Sequence, residues 1–334
     1  MSERDTGPLP SFQKTKPGAT TFGAMVLKSF AVLGLLFLIF FGIYWIFGRL
    51  AFEDLPRTEL YSQVMRGQAE VRRMAALEWA TKLQNADSQK NLEKTRAYLP
   101  SEEETAVLAQ ELKSLEASAQ PNVDLIAGIL GVLGHSYSVR AHDALRDFLA
   151  TSRDAEWSRA QVQAVVGLAR RSPEDPATLD TFAKILAEGR ADASLRKAIA
   201  YGLGFAGEGE PDTETWTRKS VVLESLLRDP AADVRWNAAF SALRLGVDLE
   251  SAQAQLADLV AELHADLSRS PDKARETQLV LKRDTYLEAL NLAQKVPMNA
   301  ATYETLKKQV VEIADQHPDL KIRQGAKAAL KSKD

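Results

Sequence analysis

The sequence predicts an all-α fold in which a single membrane-spanning helix near the amino terminus precedes an array of stacked helical pairs. Three observations predict it. An arginine recurs just before runs of small and apolar residues at helical spacing, residues 29–48 carry no charge, and no segment alternates apolar and polar residues as a half-buried strand does. Because stacked repeats contact only their neighbours, 334 residues can form one elongated array without a single central core.

The recurring pattern is clearest at Arg235, where small or apolar residues stand four, five, eight and nine positions after the preceding Val234. These offsets define one face of a 3.6-residue helix. Similar patterns begin at Arg72, Arg196 and Arg323, and a degenerate one begins at Arg159. The five arginines are 87, 37, 39 and 88 residues apart, so the long gaps are about twice the short ones. The spacing predicts a helical repeat and an α-solenoid of about six helical hairpins.

The segment from Asp229 to Arg235 resembles a HEAT repeat, a family in which each unit is a helical hairpin. Neighbouring repeats of that family are linked by an Asp–Arg ladder, so the resemblance implies that Arg235 pairs with Asp229, six residues before it. In the other four copies the equivalent position holds Arg66, Arg153, Arg190 or His317. The resemblance covers residues 63–331, and an irregular helical bundle is the alternative.

Periodicity and capping signals place the helices along the chain. A first helical block covers 59–83, and Ser101 with Glu104 forms the capping-box pattern that opens a helix to about residue 117. Pro173 and Pro176 end one helix and begin the next. Residues 85–100 receive no assignment. The remaining predicted helices cover 122–133, 139–150, 155–169, 178–187, 194–206, 215–227, 232–245, 251–264, 273–295, 302–316 and a closing helix from Leu320.

The charge-free stretch at 29–48 divides the chain into four parts. A helix of twenty residues spans about 30 Å, the thickness of the hydrocarbon core of a bilayer. Tyr44 and Trp45 stand near its second boundary, where amphipathic rings favour the membrane interface. We predict a flexible polar tail at 1–24, a transmembrane helix within 25–50, a juxtamembrane connector at 51–62 and a HEAT-like helical repeat domain at 63–334.

Two other interpretations of the apolar stretch fit less well. A cleaved signal peptide has a shorter apolar region and a small-residue cleavage site, and a buried core helix needs partners all round that a two-layer array does not supply. Four basic residues before the stretch and three after it indicate a cytoplasmic amino terminus. We therefore expect the repeat domain on the periplasmic side of a bacterial inner membrane, a compartment with which the absence of cysteine is compatible.

The sequence gives little support for nucleic-acid binding, a cofactor or catalysis. Residues 1–50 hold five Lys or Arg and two Asp or Glu, which leaves 37 basic against 43 acidic residues after them, a net charge of −6 that repels phosphate. Gly202, Gly204 and Gly207 match a dinucleotide-binding motif but stand at the end of a predicted helix instead of its start. The four histidines form no metal-binding pattern and there is no cysteine. We predict no cofactor, metal or catalytic site.

We therefore expect a membrane-anchored scaffold that binds another protein, as an accessory or assembly subunit of a bacterial envelope complex. In such arrays the second helix of each hairpin usually lines the concave face. Its charged side chains and one tryptophan are the candidate partner-binding residues, namely Arg140, Asp143, Arg146, Asp147, Lys184, Arg218, Lys219 and Trp216. A solvated charged face is the other explanation of these residues. The functional alternatives are an enzyme on a HEAT-like scaffold, with the phycobilin lyases as precedent, and a small-ligand-binding repeat protein.

Overall fold

The computed structural model describes residues 55–151, 155–171, 174–205, 213–247, 249–268, 273–295 and 300–331. In these ranges the regular secondary structure is entirely helical, so the predicted all-α class is confirmed. The α-helices described are α1 (Arg57–Arg66), α2 (Ala69–Ser88), α3 (Leu92–Tyr98), α4 (Glu102–Glu116), α5 (Val123–Leu133), α6 (Val139–Ala150), α7 (Ser158–Arg171), α8 (Pro176–Ala187), α9 (Ala193–Leu203), α10 (Thr213–Leu226), α11 (Ala232–Leu245), α12 (Leu249–Ala265), α13 (Lys273–Lys295), α14 (Ala300–Gln316) and α15 (Leu320–Lys331).

The apolar stretch at 29–48, which we predicted to cross a membrane, lies outside the described residues, and so does the tail at 1–24. Within the described ranges no helix combines the length and the apolar character that a bilayer span requires. The chain from Pro56 onward forms one compact unit.

Several helix boundaries follow directly from local sequence. Ser101 Oγ accepts a hydrogen bond from the Glu104 N–H (3.2 Å), and the Glu104 carboxylate accepts one from the Ser101 N–H (2.7 Å), which confirms the predicted capping box at α4. Asp175 caps α8, and Pro176 occupies the first turn, where its missing N–H costs nothing. Gly246 ends α11 with a left-handed φ of 73° that favours glycine.

The start of the array differs from the prediction. Gly67 divides the block predicted at 59–83 into α1 and α2, which pack on each other. Helix α1 begins at Arg57 and buries Leu60 and Val64, so it starts within the stretch at 51–62 that was predicted as a connector. The stretch at 85–100, which had no assignment, contains α3, whose first turn is capped by the Asn91 side chain.

The helices alternate between two layers. The first layer contains α2, α5, α7, α9, α11, α13 and α15, each packed against the next, and the second contains α4, α6, α8, α10, α12 and α14. This arrangement is consistent with an α-solenoid. In α4–α5, α6–α7 and α10–α11 the second-layer helix comes first in the chain. Of the helices that the sequence analysis placed second in their hairpins, α6 and α10 pack more extensively on the helix that follows them, whereas α8 and α12 pack on the helix that precedes them.

The predicted apolar stripes face the core between the layers. In α11, Ala238, Ala239 and Ala242 are at most 1% exposed, and in α2 the indole of Trp79 is fully buried. The 3.6-residue period therefore identified the buried faces correctly. Trp157 and Trp236 are also buried, so these rings fill space between helices.

Close packing in the first layer depends on glycine and alanine. A Cβ added at Gly167 in α7 would lie 2.6 Å from the Cα of Gly134, which follows α5. One added at Gly202 in α9 would lie 2.6 Å from the Cβ of Ala169 in α7. Because real Cβ atoms do not approach other atoms so closely, only glycine permits these two contacts. Gly204, the second glycine of the dinucleotide-like motif, packs in the same way on α11.

The Asp–Arg contact inferred from the HEAT resemblance exists in a different form. The Asp229 carboxylate binds the guanidinium of Arg196 in α9, with Nε–Oδ2 and Nη2–Oδ1 distances of 2.6 and 3.0 Å. Arg235 instead donates to the main-chain oxygens of Asp229 (2.9 Å) and Pro230 (3.1 Å). The prediction that Arg235 pairs with the Asp229 carboxylate is therefore wrong.

The same arrangement recurs at the end of the array. Arg283 in α13 binds Asp319 through Nε (2.9 Å) and Nη2 (2.7 Å), and Arg323 donates to the main-chain oxygen of His317 (2.8 Å). Asp319 stands four positions before Arg323 instead of six, so a search at one fixed position missed it. The other recurrent arginines have different partners, Glu111 and the Val64 oxygen for Arg72 and Asp124 for Arg159.

Candidate binding site

Helix α5 lies deep in the first layer. Residues 125–133 are all buried, and the Asn122 side chain caps the helix by accepting a hydrogen bond from the Leu125 N–H (3.0 Å). A Cβ added at Gly128 would lie 2.7 Å from the Cβ of Ala76 in α2. Gly131 makes a similar contact one turn later. The glycines therefore allow α5 to pack closer to α2 than a helix with ordinary side chains could.

A cavity of about 350 Å³ runs along α5 and is bordered by α2, α7 and α9. We call this cavity the trough. It is lined by Gly128, Gly131, Gly134 and Gly167, by apolar side chains of α2 and α7, and by polar side chains around them. These polar residues are Thr81, Gln84, His135, Arg159, Gln163, Arg170 and Tyr201. No Asp or Glu is among the described residues that line it.

Helix α7 supplies the longest side of the trough. Arg159, Gln163, Val166 and Arg170 follow one another at spacings of four, three and four residues, which places them on one face of the helix. At 1.5 Å per residue, the Cα atoms of the two arginines are separated by about 16 Å along the helix axis. The trough therefore has an arginine at each end and shorter side chains between them.

Four ionisable side chains meet at one end of the trough, and we call them the Asp87 cluster. Asp87 Oδ2 lies 3.2 Å from His135 Nδ1, 3.3 Å from Arg171 Nη2 and 3.8 Å from Arg170 Nη1. Arg170 Nη1 also lies 2.9 Å from His135 Nε2. Because a guanidinium can only donate, this geometry fits a neutral imidazole that accepts at Nε2 and donates from Nδ1 to Asp87. The fourth member, Arg171, stacks on the Tyr137 ring at 4.0 Å.

The electrostatics of the cluster leave an excess of positive charge. Burial lowers the pKa of His135 to about 4, and the charge of Arg170 acts in the same direction, against the opposing effect of Asp87. His135 is therefore neutral at pH 7, and one carboxylate faces two guanidinium groups. The Arg171 side chain is only 6% exposed, and its Nε, though buried, has no hydrogen-bond partner among the described residues.

Arg159 marks the other end of the trough. Its Nη1 lies 3.0 Å from Asp124 Oδ1, and 60% of its side chain remains exposed. Asp124 also contacts Arg73 (3.5 Å), which binds Glu70 as well. The charges at this end are therefore balanced, and Arg159 stays accessible to a further anionic group.

The structure places all eight sequence-predicted candidates on the second layer, four of them on α6. Arg140, Asp143 and Asp147 of α6 line a shallow cleft between α4 and α6, where Asp147 pairs with Lys113 (3.1 Å). Arg146 binds Asp143 in its own helix and Asp175 at the start of α8. These residues occur together, but on the layer that does not contain the trough.

The candidates on α8 and α10 do not join that cleft. Arg218 binds Asp180 of α8 (2.6 Å) and Glu214 (2.7 Å), so it links two helices of the second layer. Lys184 is exposed and lies 3.9 Å from the carboxylate of Glu188, the residue that follows α8. The Trp216 ring is 39% exposed, with its Nε1 donating to the main-chain oxygen of Leu245 (3.4 Å).

Lys219 is a correction to the predicted site. The residue is 1% exposed, and its Nζ donates to the main-chain oxygen of Phe205 just after α9 (2.8 Å). Burial lowers the pKa of its amine. Lys219 therefore satisfies a carbonyl at the end of a first-layer helix and is not available to a partner.

Comparison of the chain with models of known protein families and with curated proteins finds no match. The trough itself was missed by sequence reasoning, although two signals were present. Gly128, Gly131 and Gly134 recur at a spacing of three, and Arg170 and Arg171 form a basic pair. Neither signal indicates a site alone, because the trough forms only when four helices that are far apart in the sequence lie together.

Proposed function

We propose that this protein is a membrane-anchored scaffold with a HEAT-like α-solenoid that binds a segment of a partner protein in the trough. It acts as an accessory or assembly subunit of an envelope complex at a bacterial inner membrane. Residues 29–48 serve as the anchor, and the array extends into the periplasm. The proposal takes the anchor and the orientation from the charge-free length and the flanking basic residues of the sequence.

The observation that carries the proposal is the glycine-lined trough across four helices. The glycines pack α5 against α2 and α7, so the accessible edges of the trough are the polar side chains of α2, α7 and α9. The polar side chains around the glycines, among them Gln84 and Gln163, can hydrogen-bond a peptide main chain. A groove with polar edges that crosses four helices is suited to binding a polypeptide segment.

An enzyme on the same scaffold is the weaker alternative. Acid–base or metal chemistry needs a cluster of carboxylates and histidines that faces the substrate. The described lining of the trough contains one histidine and no Asp or Glu, and that histidine is committed to Asp87 and Arg170. These features favour binding over catalysis.

Blocking the trough tests the proposal. In the variant Gln163→Trp the indole replaces a half-buried side chain in the middle of the trough and fills it. Tagged full-length protein, extracted from membranes in mild detergent, should then co-purify at least tenfold less of the partner than the unmodified protein does. Quantitative mass spectrometry measures the ratio.

The variant Gln110→Trp is the matched control. Gln110 is an exposed glutamine that lines the shallow cleft between α4 and α6, so its replacement should leave co-purification unchanged. Unchanged partner recovery with Gln163→Trp, at unchanged helicity, would remove the trough from the proposal. If only Gln110→Trp reduced co-purification of the partner, the binding site would lie on the second layer.

A further inference from the structure

We infer that the trough selects an acidic partner segment in extended conformation, with two carboxylate side chains separated by four to six positions. This inference rests on the proposed function, since it names the chemistry of the segment that the scaffold binds. Charge complementarity, the width of the trough and the separation of its arginines each support it.

Charge complementarity is the first argument. The trough presents Arg159 and Arg170, each of which lies beside one carboxylate outside the described lining, Asp124 and Asp87, whereas the chain after residue 50 carries a net charge of −6. In the Asp87 cluster two guanidinium groups share one carboxylate, which leaves one positive charge that a partner anion can balance. A partner carboxylate beside Arg170 would supply it through a charge-assisted hydrogen bond.

The width of the trough indicates an extended segment. A volume of about 350 Å³ spread over a length of about 16 Å gives a cross-section of about 20 Å². An α-helix with side chains is 10–12 Å across and needs roughly 80–110 Å². An extended main chain can lie along such a trough with alternate side chains on one side of it, whereas a helix of that diameter does not fit inside.

The separation of the arginines sets the spacing of the partner's acidic residues. In an extended chain, residues four and six positions apart point to the same side and lie about 13 and 20 Å apart. The Cα separation of Arg159 and Arg170, about 16 Å, lies between these values, and arginine side chains are long enough to cover the difference. Two acidic residues at either spacing can therefore reach both arginines at once.

Synthetic peptides test this inference. Fluorescent nine-residue peptides of Gly, Ser and Thr carry a pair of glutamates, glutamines or lysines at their third and seventh positions, and anisotropy measures their binding to the full-length protein in detergent. We expect the glutamate pair to bind at least tenfold more tightly than the glutamine pair and the lysine pair not to bind. Binding of the glutamate peptide should weaken as salt rises.

Charge reversal locates the binding. Arg159→Glu should weaken the glutamate peptide at least tenfold, whereas Arg140→Glu, at an exposed arginine of the second-layer cleft, should leave it unchanged. Equal binding of the glutamate and glutamine peptides would overturn the acidic preference. The inference would also be overturned if Arg140→Glu weakened the glutamate peptide as much as Arg159→Glu does, or if that peptide did not bind at about 1 mM protein. If Gln163→Trp still releases the natural partner in any of these cases, the scaffold proposal stands and only its partner chemistry is wrong.

Discussion

Replacing Gly167 by alanine should destabilise the array by about 2 kcal/mol, because overpacking a tight contact costs roughly 1–3 kcal/mol. The new Cβ would lie 2.6 Å from the Cα of Gly134, a main-chain atom that can move only if α5 and α7 separate. Alanine is intrinsically about 1 kcal/mol better than glycine in a helix, so a loss of stability would show that the helix contact dominates. Thermal unfolding of the full-length protein in detergent, followed by circular dichroism, measures it.

Gly325 provides the matched control. A Cβ there would approach only the Leu287 and Leu290 side-chain tips, and the nearer, Leu287 Cδ2, is a flexible end that can turn away. Gly325→Ala should therefore be neutral or stabilise the protein by up to about 1 kcal/mol. Gly167→Ala should therefore lower the melting temperature, and Gly325→Ala should leave it unchanged or raise it. Equal shifts would mean that the close approach of α5 and α7 does not limit the packing of the first layer.

Removing the guanidinium of Arg196 should cost about 3 kcal/mol, the usual range for breaking a buried ion pair from one side. The Asp229 side chain is only 6% exposed, and the Arg196→Met variant leaves its carboxylate without the guanidinium that now binds both oxygens. Arg159→Met is the control, because its ion pair with Asp124 is largely exposed and such pairs contribute about 1 kcal/mol or less. Equal melting temperatures of the two variants would contradict the expected role of Arg196.

Acid provides a second readout of the same pair. Burial alone raises the pKa of Asp229, but the Arg196 side chain, the Ala231 N–H and the charge of Arg235 together lower it below its usual value. A carboxyl whose pKa is lower in the folded than in the unfolded chain stabilises the fold above the unfolded pKa, about 4, and loses this contribution as the pH falls through the folded pKa. In the double variant Arg196→Met, Asp229→Asn, stability should therefore fall less steeply below pH 4.

The helices and their buried faces could be predicted from the sequence because both are local properties. The 3.6-residue period identified the stripe after Arg235, and the capping box at Ser101 placed the start of α4 correctly. Short-range hydrogen bonds and helix geometry decide such features within a few residues. A pattern read along one helix is therefore sufficient for them.

Contacts between helices could not be read in the same way. The carboxylate that binds Arg196 stands 33 residues later, and Lys219 is buried because the end of α9 lies beside it. Whether a charged side chain lies near the cavity also depends on the layer to which its helix belongs. Arg140 and its neighbours are charged and accessible, but they belong to the second layer, whereas the cavity forms where glycines bring first-layer helices together. These relations depend on packing partners that no single segment encodes.

The central claim is that a partner protein lies in the trough, and site-specific photocrosslinking in intact membranes tests it most directly. A photoreactive amino acid is placed at Gln163 in the trough or at Gln110 in the second-layer cleft of the full-length protein. After irradiation, mass spectrometry identifies the linked peptides. We expect one partner linked at Gln163, through a segment rich in Asp or Glu, and no adduct at Gln110. An adduct at Gln110 alone, or none at either position, would contradict the claim.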